Sequence, residues 1–170
     1  MGDVQAEIWL DGETKVAEAP ADHGDETRLW LRLLTCTTLV EAEVRRRLRE
    51  EFDCTLPRFD LMAQLERAPD GMVLGELSKR MMVSAGNLTA LVDRLVESGH
   101  ITRTTHATDR RVQIIALTPF GRSVFSEMAE RHGDWIGELF EGLDPRERET
   151  LMDALGRLKQ SVRAGLAREG

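Results

Sequence analysis

The sequence has no tyrosine, only two cysteines and few aromatic residues, which make up 5% of its 170 positions. Cys36 and Cys54 are too few for a disulfide framework and lack the C-x-x-C spacing of thiol redox motifs. No apolar run approaches the roughly 18 residues of a membrane span, and no basic-then-apolar signal sequence opens the chain. We therefore expect a soluble, helix-rich protein in the reduced cytoplasm, without a membrane partner.

Motifs of catalysis and of metal binding are missing as well. The sequence contains no G-x-S-x-G, no phosphate-binding glycine loop and no H-E-x-x-H. Its histidines are scattered, and no two have the H-x-x-x-H spacing of metal ligands on one helix. The sequence therefore predicts a protein that is not an enzyme and that requires no metal and no other cofactor.

The charge of the chain is unevenly distributed. The net charge is −7, which argues against a nucleic-acid partner, but residues 1–25 carry −6 of it and the rest only −1. Within 72–117, six basic residues outnumber four acidic ones, which makes this segment a modest positive patch. We expect residues 1–25 to be an acidic, flexible tail.

Periodicity and capping signals predict six helices and one hairpin. The predicted elements are a long helix over 26–51, a helix beginning at Pro57, a short helix over 74–82, a helix ended by Gly99, strands over 101–105 and 111–117, a helix over 119–141 and a last helix from Pro145. Met72-Val73 is too short for a strand unless it pairs elsewhere in the chain. The order predicts a mainly α fold with a small β-hairpin wing, a winged helix-turn-helix flanked by long helices.

The segment "MVSAGNLTALVDRL" combines a strong amphipathic helix with a first turn of small residues. Its apolar side chains recur at helical spacing, whereas Gly86 costs roughly 1 kcal/mol relative to alanine inside a helix. Ser84 is placed to cap the helix, and small residues let its first turn approach a DNA groove closely. Asn87 is suited to paired hydrogen bonds with an adenine edge. The alternative is that Gly86 is a tolerated weak position against a neighbouring helix.

The tip of the predicted hairpin carries Asp109-Arg110-Arg111. An aspartate two residues before an arginine lies on the same side of a strand, where it can orient the Arg111 guanidinium for insertion into a narrow minor groove. A solvated surface cluster is the alternative. The predicted DNA-binding residues are Lys79, Ser84, Ala85, Gly86, Asn87, Thr89, Ala90, Arg94, Asp109, Arg110 and Arg111.

Residues 26–165 resemble the multiple antibiotic resistance regulator (MarR) family of bacterial winged-helix repressors. The resemblance is carried by "LPRFDLMAQLERAPDGMVLGELSKRMMVSAGNLTALVDRLVESGHI", "DRRVQIIALTPFGR" and a helical C-terminus. It implies a homodimer that binds a palindromic operator in double-stranded DNA and usually represses nearby genes. Residues 57–118 are then the winged helix-turn-helix DNA-binding domain, and 26–56 and 119–170 the helical dimerisation region. The alternative for the long helices is a bundle within one chain.

The resemblance also implies a small effector that releases the DNA, bound between the dimer helices and the DNA-binding domain. The segments "WLRLLT" and "TLPRFDLMAQL" are similar in sequence to the branch of the family that controls aromatic-acid catabolism. This similarity suggests that the effector is an aromatic acid or its acyl-coenzyme A thioester. The predicted effector-binding residues are Trp30, Arg32, Leu34, Thr38, Arg58 and Met62.

Two other functions stay open. One is a regulator that senses redox state through Cys36. The peroxide-sensing branch of the family uses tyrosines beside its cysteine, and this chain has none, so we expect Cys36 to be a packing residue. The other is a helical protein–protein adaptor without DNA binding, which would have no need of Asn87 or Arg111.

Overall fold

The computed structural model describes residues 24–106, 109 and 112–168, with the backbone alone at Ala85. Its helices are α1 Asp25–Phe52, α2 Leu56–Glu66, α3 Leu74–Met81, α4 Ala85–Glu97, α5 Pro119–Leu139 and α6 Pro145–Leu166. Its strands are β1 Met72–Val73, β2 Ile101–Thr105 and β3 Gln113–Leu117. The order confirms the predicted fold class, a mainly α winged helix-turn-helix with a small hairpin.

The helices begin and end close to the positions that their local signals predict. Pro57 lies in the first turn of α2, but the helix starts at Leu56 because Thr55 occupies the N-cap position. Helix α4 ends at Glu97, and Gly99 follows with a φ of +74°, a left-handed conformation that favours glycine. The predicted tail over 1–25 lies almost wholly outside the described residues.

Strand β1 has the pairing partner that its short length requires. Met72 lies opposite Ile115 and Val73 opposite Ile114, which gives an antiparallel sheet in the order β1-β3-β2. Gly71 precedes the strand with a φ of +87°, and a Cβ there would lie 2.7 Å from Ile114 Cγ2. A glycine is therefore needed for β1 to reach the hairpin.

The described residues before Gly133 form one compact unit with its own core. Helix α4 contributes Leu88, Val92 and Leu95 to this core, each with no exposed surface. Together with the half-buried Leu91, these are the apolar residues whose spacing predicts the helix, and their burial fixes which face of α4 is left for solvent. The opposite face of α4 is therefore the one that the described residues leave available to a ligand.

Residues from Gly133 onward form the second unit. Its helix α6 begins with a capping box, in which the Asp144 carboxylate accepts from Glu147 N–H and the Glu147 carboxylate accepts from Asp144 N–H. No residue of α6 is buried. The predicted division into a DNA-binding domain and a dimerisation region stays a prediction.

No helix in the described ranges is long and apolar enough to cross a membrane. Nor do the described residues bring three or more His, Cys, Asp or Glu side chains into an arrangement that could hold a metal ion.

Candidate nucleic-acid interface

Helices α3 and α4 are joined by a turn of only three residues, which their own hydrogen bonds hold in place. Met82 has a φ of +52° and donates its N–H to the Lys79 carbonyl at 3.3 Å. The Ser78 hydroxyl donates to the Val83 carbonyl at 2.8 Å, and the Ser78 carbonyl accepts from Val83 N–H at 3.3 Å. These bonds fix the direction in which α4 leaves α3.

The first turn of α4 is capped as its sequence predicts. The Ser84 hydroxyl accepts from Asn87 N–H at 3.4 Å, and the Ser84 carbonyl accepts from Leu88 N–H at 3.0 Å. Within the described part of the chain, the N–H group of Gly86 has no such partner. A free N–H group and the positive end of the helix dipole together suit a phosphate.

Gly86 is exposed and lies in open space. No described atom outside its own helix turn would come within 4 Å of a Cβ added at this position. The described part of the chain therefore does not require a glycine here, because none of its other helices packs against the residue. What the missing side chain does provide is room for another molecule to approach the backbone.

The solvent side of α4 and the end of α3 form one polar face, which we call the reading surface. Its members are the exposed residues Lys79, Ser84, Gly86, Asn87, Ala90 and Arg94. Thr89 is half-buried at its border. Among the described residues, the Asn87 amide has no hydrogen-bond partner, and the Lys79 and Arg94 side chains have no ion-pair partner. These three groups are therefore available to a ligand.

Two other cations near the reading surface are already engaged. Arg80 pairs with Glu76 on its own helix at 2.6 Å. Arg103 of β2 donates through Nη2 to Asp93 Oδ1 of α4 at 2.5 Å. Sequence reasoning missed this second pair, because ten residues and a change of secondary structure separate its members. The pair links the helix of the reading surface directly to the hairpin.

The junction of the hairpin and α5 explains the segment Leu117-Thr118-Pro119-Phe120-Gly121, an L-T-x-x-G motif within the family resemblance. The Thr118 hydroxyl donates to the Gly99 carbonyl at 2.7 Å and accepts from Gly121 N–H at 2.8 Å. A Cβ on Gly121 would lie 1.9 Å from the His100 carbonyl oxygen, closer than any contact allows. The motif therefore lets α5 start directly against the segment that connects α4 to β2.

The predicted tip of the wing lies largely outside the described residues. Arg110 and Arg111 are not described, so the predicted orientation of Arg111 by Asp109 stays a prediction. Asp109 itself is exposed, and its carbonyl accepts from Val112 N–H at 3.0 Å.

A cavity of about 190 Å³ lies in the first unit, between α1, α2, α5 and the segment before β2. Residues lining it include Cys54, Arg58, Met62, His100, Val124 and Met128. Arg58 Nε is buried and has no hydrogen-bond partner among the described residues. Burial, and then the Arg58 charge, lower the pKa of His100. The cavity thus combines an apolar wall at Met62, Val124 and Met128 with two opposite charges, those of Arg58 and Asp53.

The predicted effector residues do not all meet at this cavity. Arg58 and Met62 line it, whereas Trp30, Arg32, Leu34 and Thr38 lie exposed on the N-terminal half of α1.

The two cysteines lie in different environments. Cys36 is exposed rather than packed as the sequence suggested, because it lies on the side of α1 that the described chain leaves uncovered. Cys54 is buried, and burial raises the pKa of its thiol.

Comparison with known proteins agrees with this geometry. The MarR family model matches residues 52–112. A MarR family transcriptional regulator from Silicibacter pomeroyi is 33% identical with a TM-score of 0.69, over 81% of this chain and 95% of that one. The transcriptional activatory protein BadR of Rhodopseudomonas palustris is 30% identical over 105 residues, 61% of this chain and 59% of that protein.

The fold is also shared with Sco3205, a MarR family regulator from Streptomyces coelicolor solved in complex with DNA. That structure is 22% identical with a TM-score of 0.72, over 85% of this chain and 92% of the other. These relatives are transcriptional regulators, which confirms the prediction that the chain is not an enzyme. The chain belongs to the MarR family of winged-helix transcriptional regulators.

Proposed function

We propose that the protein binds a palindromic operator in double-stranded DNA as a homodimer, represses transcription there and is released by a small effector. The observation that carries the proposal is the first turn of α4. Among the described residues, this turn exposes Gly86 with a free N–H group and open space around it, and presents the unpaired Asn87 amide. Such a tip suits insertion into a major groove.

The residues of the reading surface divide between phosphate contacts and base contacts. Lys79, Arg94 and the free N–H group of Gly86 are suited to phosphates, which position the protein without reading sequence. Asn87 is suited to the N6 and N7 atoms of an adenine. Ala90 and the border residue Thr89 are suited to apolar contact with a thymine methyl.

Dimerisation is supported by apolar side chains that neither unit covers. In the first unit, Leu29, Trp30 and Leu34 of α1 are 53%, 59% and 45% exposed. In the second, α6 exposes Leu151, Met152, Leu155, Val162 and Leu166. Because burying apolar surface contributes about 25 cal/mol per Å², covering these faces with a second copy of the chain would favour association. A two-fold dimer would place two α4 tips about one turn of DNA (roughly 34 Å) apart, which predicts a palindromic site.

Binding is tested by anisotropy titration of the protein against DNA from upstream of its own gene. Asn87→Ala should relax the preference at one base position per half-site, costing about 1–3 kcal/mol there. Arg111→Ala should weaken binding to all sequences and reduce the slope of log affinity against log salt by about one unit. Glu97→Ala, at the far end of α4, is the matched control. Unchanged preference and slope in both variants would contradict the proposed interface.

The cavity at Arg58 supports a carboxylate effector. A buried guanidinium nitrogen without a partner is costly, and a carboxylate satisfies it with a charge-assisted hydrogen bond. The apolar wall of Met62, Val124 and Met128 suits a ring. Drug-sized ligands occupy cavities of about 300–1,000 Å³, so 190 Å³ favours a single-ring aromatic acid over a whole acyl-coenzyme A thioester.

The effector is tested with a panel of single-ring aromatic acids and their coenzyme A thioesters. An acid that binds should raise the melting temperature and release the operator. Arg58→Gln should abolish both effects, whereas Arg67→Gln, at the exposed end of α2, should retain them. Equal responses of the two variants would contradict an effector site at Arg58.

A reporter under the operator distinguishes the regulatory outcomes. If the protein is a repressor, deleting its gene should raise expression of the reporter. When the gene is intact, adding the effector should raise reporter expression as well. A fall on deletion would instead indicate activation, the role in the name of the Rhodopseudomonas relative. If the protein dimerises but binds no DNA, the alternative function of a protein–protein adaptor would be favoured.

A further inference from the structure

Met82 combines two properties that its own chain does not explain. Its φ of +52° lies in the left-handed region, where a bulky residue other than glycine is an outlier. Its side chain is 91% exposed, the highest value among the large apolar side chains described as exposed. Met82 therefore adopts a disfavoured backbone conformation and buries almost no apolar surface in the protein.

The conformation of Met82 is imposed by the turn rather than by its side chain. The residue caps α3 by donating its N–H to Lys79, and the two hydrogen bonds between Ser78 and Val83 enclose it. A glycine would satisfy the same backbone geometry without strain. Within the described residues, no contact accounts for the thioether side chain, which points to a partner outside them.

The place of Met82 in the fold indicates where its side chain acts. It lies two residues before the Ser84 cap, and Lys79 of the reading surface lies three residues before it. When the tip of α4 enters a major groove, a side chain at this turn lies beside the same groove. Thymine's methyl is the apolar group that base edges present there.

We propose that Met82 is a specificity-determining residue of the reading surface, whose thioether packs against a thymine methyl group in each half-site. The inference rests on the proposed DNA binding. Methionine is suited to this contact because its unbranched, polarisable side chain adapts to irregular apolar surfaces. The contact would bury a side chain that the free protein leaves in water.

The first test compares stability with affinity. Met82→Gly should raise the melting temperature of the free protein by about 3 °C, because it relieves the left-handed conformation. Operator affinity should fall about sixteenfold, which is about fourfold for each half-site. Asp53 offers a matched control, since its φ of +47° at the end of α1 is almost the same. Asp53→Gly should also be neutral or stabilising, and operator affinity measured without effector should not change. Met82→Gly with operator affinity equal to that of Asp53→Gly would overturn the proposal.

The second test removes the methyl group that Met82 is proposed to contact. The thymines of the operator are replaced by uracil one symmetric pair at a time, since uracil lacks only the methyl. At one pair of symmetry-related positions, the change from thymine to uracil should lower the affinity of the natural protein about fourfold for each half-site. The same pair should cost Met82→Ala nothing further. Equal penalties in both proteins at every position would show that Met82 does not contact a methyl group. If the natural protein binds no duplex, the proposed function itself fails, which is a different result.

Discussion

Asp93 of α4 accepts a hydrogen bond from Arg103 of β2, with 2.5 Å between Oδ1 and Nη2. The Arg103 side chain is 29% exposed and that of Asp93 is 49% exposed, so water screens the pair in part. An ion pair of this kind contributes about 1 kcal/mol or less to stability. Its larger consequence is geometric, because it fixes the hairpin relative to the helix that carries the reading surface.

Neutralising this pair should therefore affect DNA binding more than folding. Asp93→Asn and Arg103→Gln should each lower operator affinity several-fold. The free energy of unfolding, measured with urea, should fall by about 1 kcal/mol or less. The double variant should bind no worse than the weaker single variant, because one contact is lost in all three. Additive losses in a double-mutant cycle would indicate that the two residues act separately.

Gly86 should show opposite effects on stability and binding. Gly86→Ala should stabilise the free protein by up to about 1 kcal/mol, because alanine favours the helix and its Cβ meets no atom. Operator affinity should fall, since the methyl group occupies the space through which the backbone approaches the groove. Gly75→Ala is the matched control. Gly75 is likewise the second residue of a helix, α3, with open space at its Cβ, and its substitution should stabilise without changing affinity.

Gly121 should tolerate no side chain. Gly121→Ala places a methyl group 1.9 Å from the His100 carbonyl oxygen, so α5 must move away from the α4–β2 junction. We expect a loss of about 3 kcal/mol in the free energy of unfolding, as in other overpacked sites. Gly137→Ala on the same helix, where a Cβ meets nothing within 4 Å, should not destabilise. If Gly121→Ala destabilised the protein no more than an ordinary surface substitution does, the backbone at this junction would have to move apart at little cost.

Cys54 should be unreactive in the folded protein. Burial raises the pKa of its thiol, and only the thiolate attacks a disulfide reagent. In a Cys36→Ser variant, a chromogenic disulfide at pH 8 should therefore release almost no signal until urea unfolds the chain. Rapid labelling of the folded variant would contradict the burial and would make Cys54 a redox candidate.

His132 should make stability depend on mildly acidic pH. Its ring packs against Phe59 with centroids 5.0 Å apart, and burial lowers its pKa, an effect that the Asp60 carboxylate opposes. The folded state thus favours the neutral ring, so this stabilisation is complete above the ordinary histidine pKa of 6.5 and is lost as pH falls below it. His132→Asn should reduce the fall in the urea midpoint between about pH 7.5 and pH 5.5. An identical fall in both proteins would assign the acid sensitivity to other groups.

Local signals determined most of the elements. Ser84 and Asp144 cap helices through hydrogen bonds to residues three positions later, and Pro57 and Pro145 preset the first turns that follow their caps. Such signals depend on neighbours within one turn, so they are legible in the chain. The buried face of α4 was likewise predictable, because its period alone decides which side chains share a side.

Other features depended on which elements the tertiary structure brings together. Neither the pairing of β1 with β3, nor the ion pair of Asp93 with Arg103, nor the contact of Gly121 with His100 follows from a spacing. The exposure of Met82 and the separation of Arg58 from Trp30 are of the same kind. By itself, the sequence determined the helices, their caps, the buried stripe and the family resemblance. Contacts between distant segments were decided only by the tertiary structure, because they require positions in space that no local period encodes.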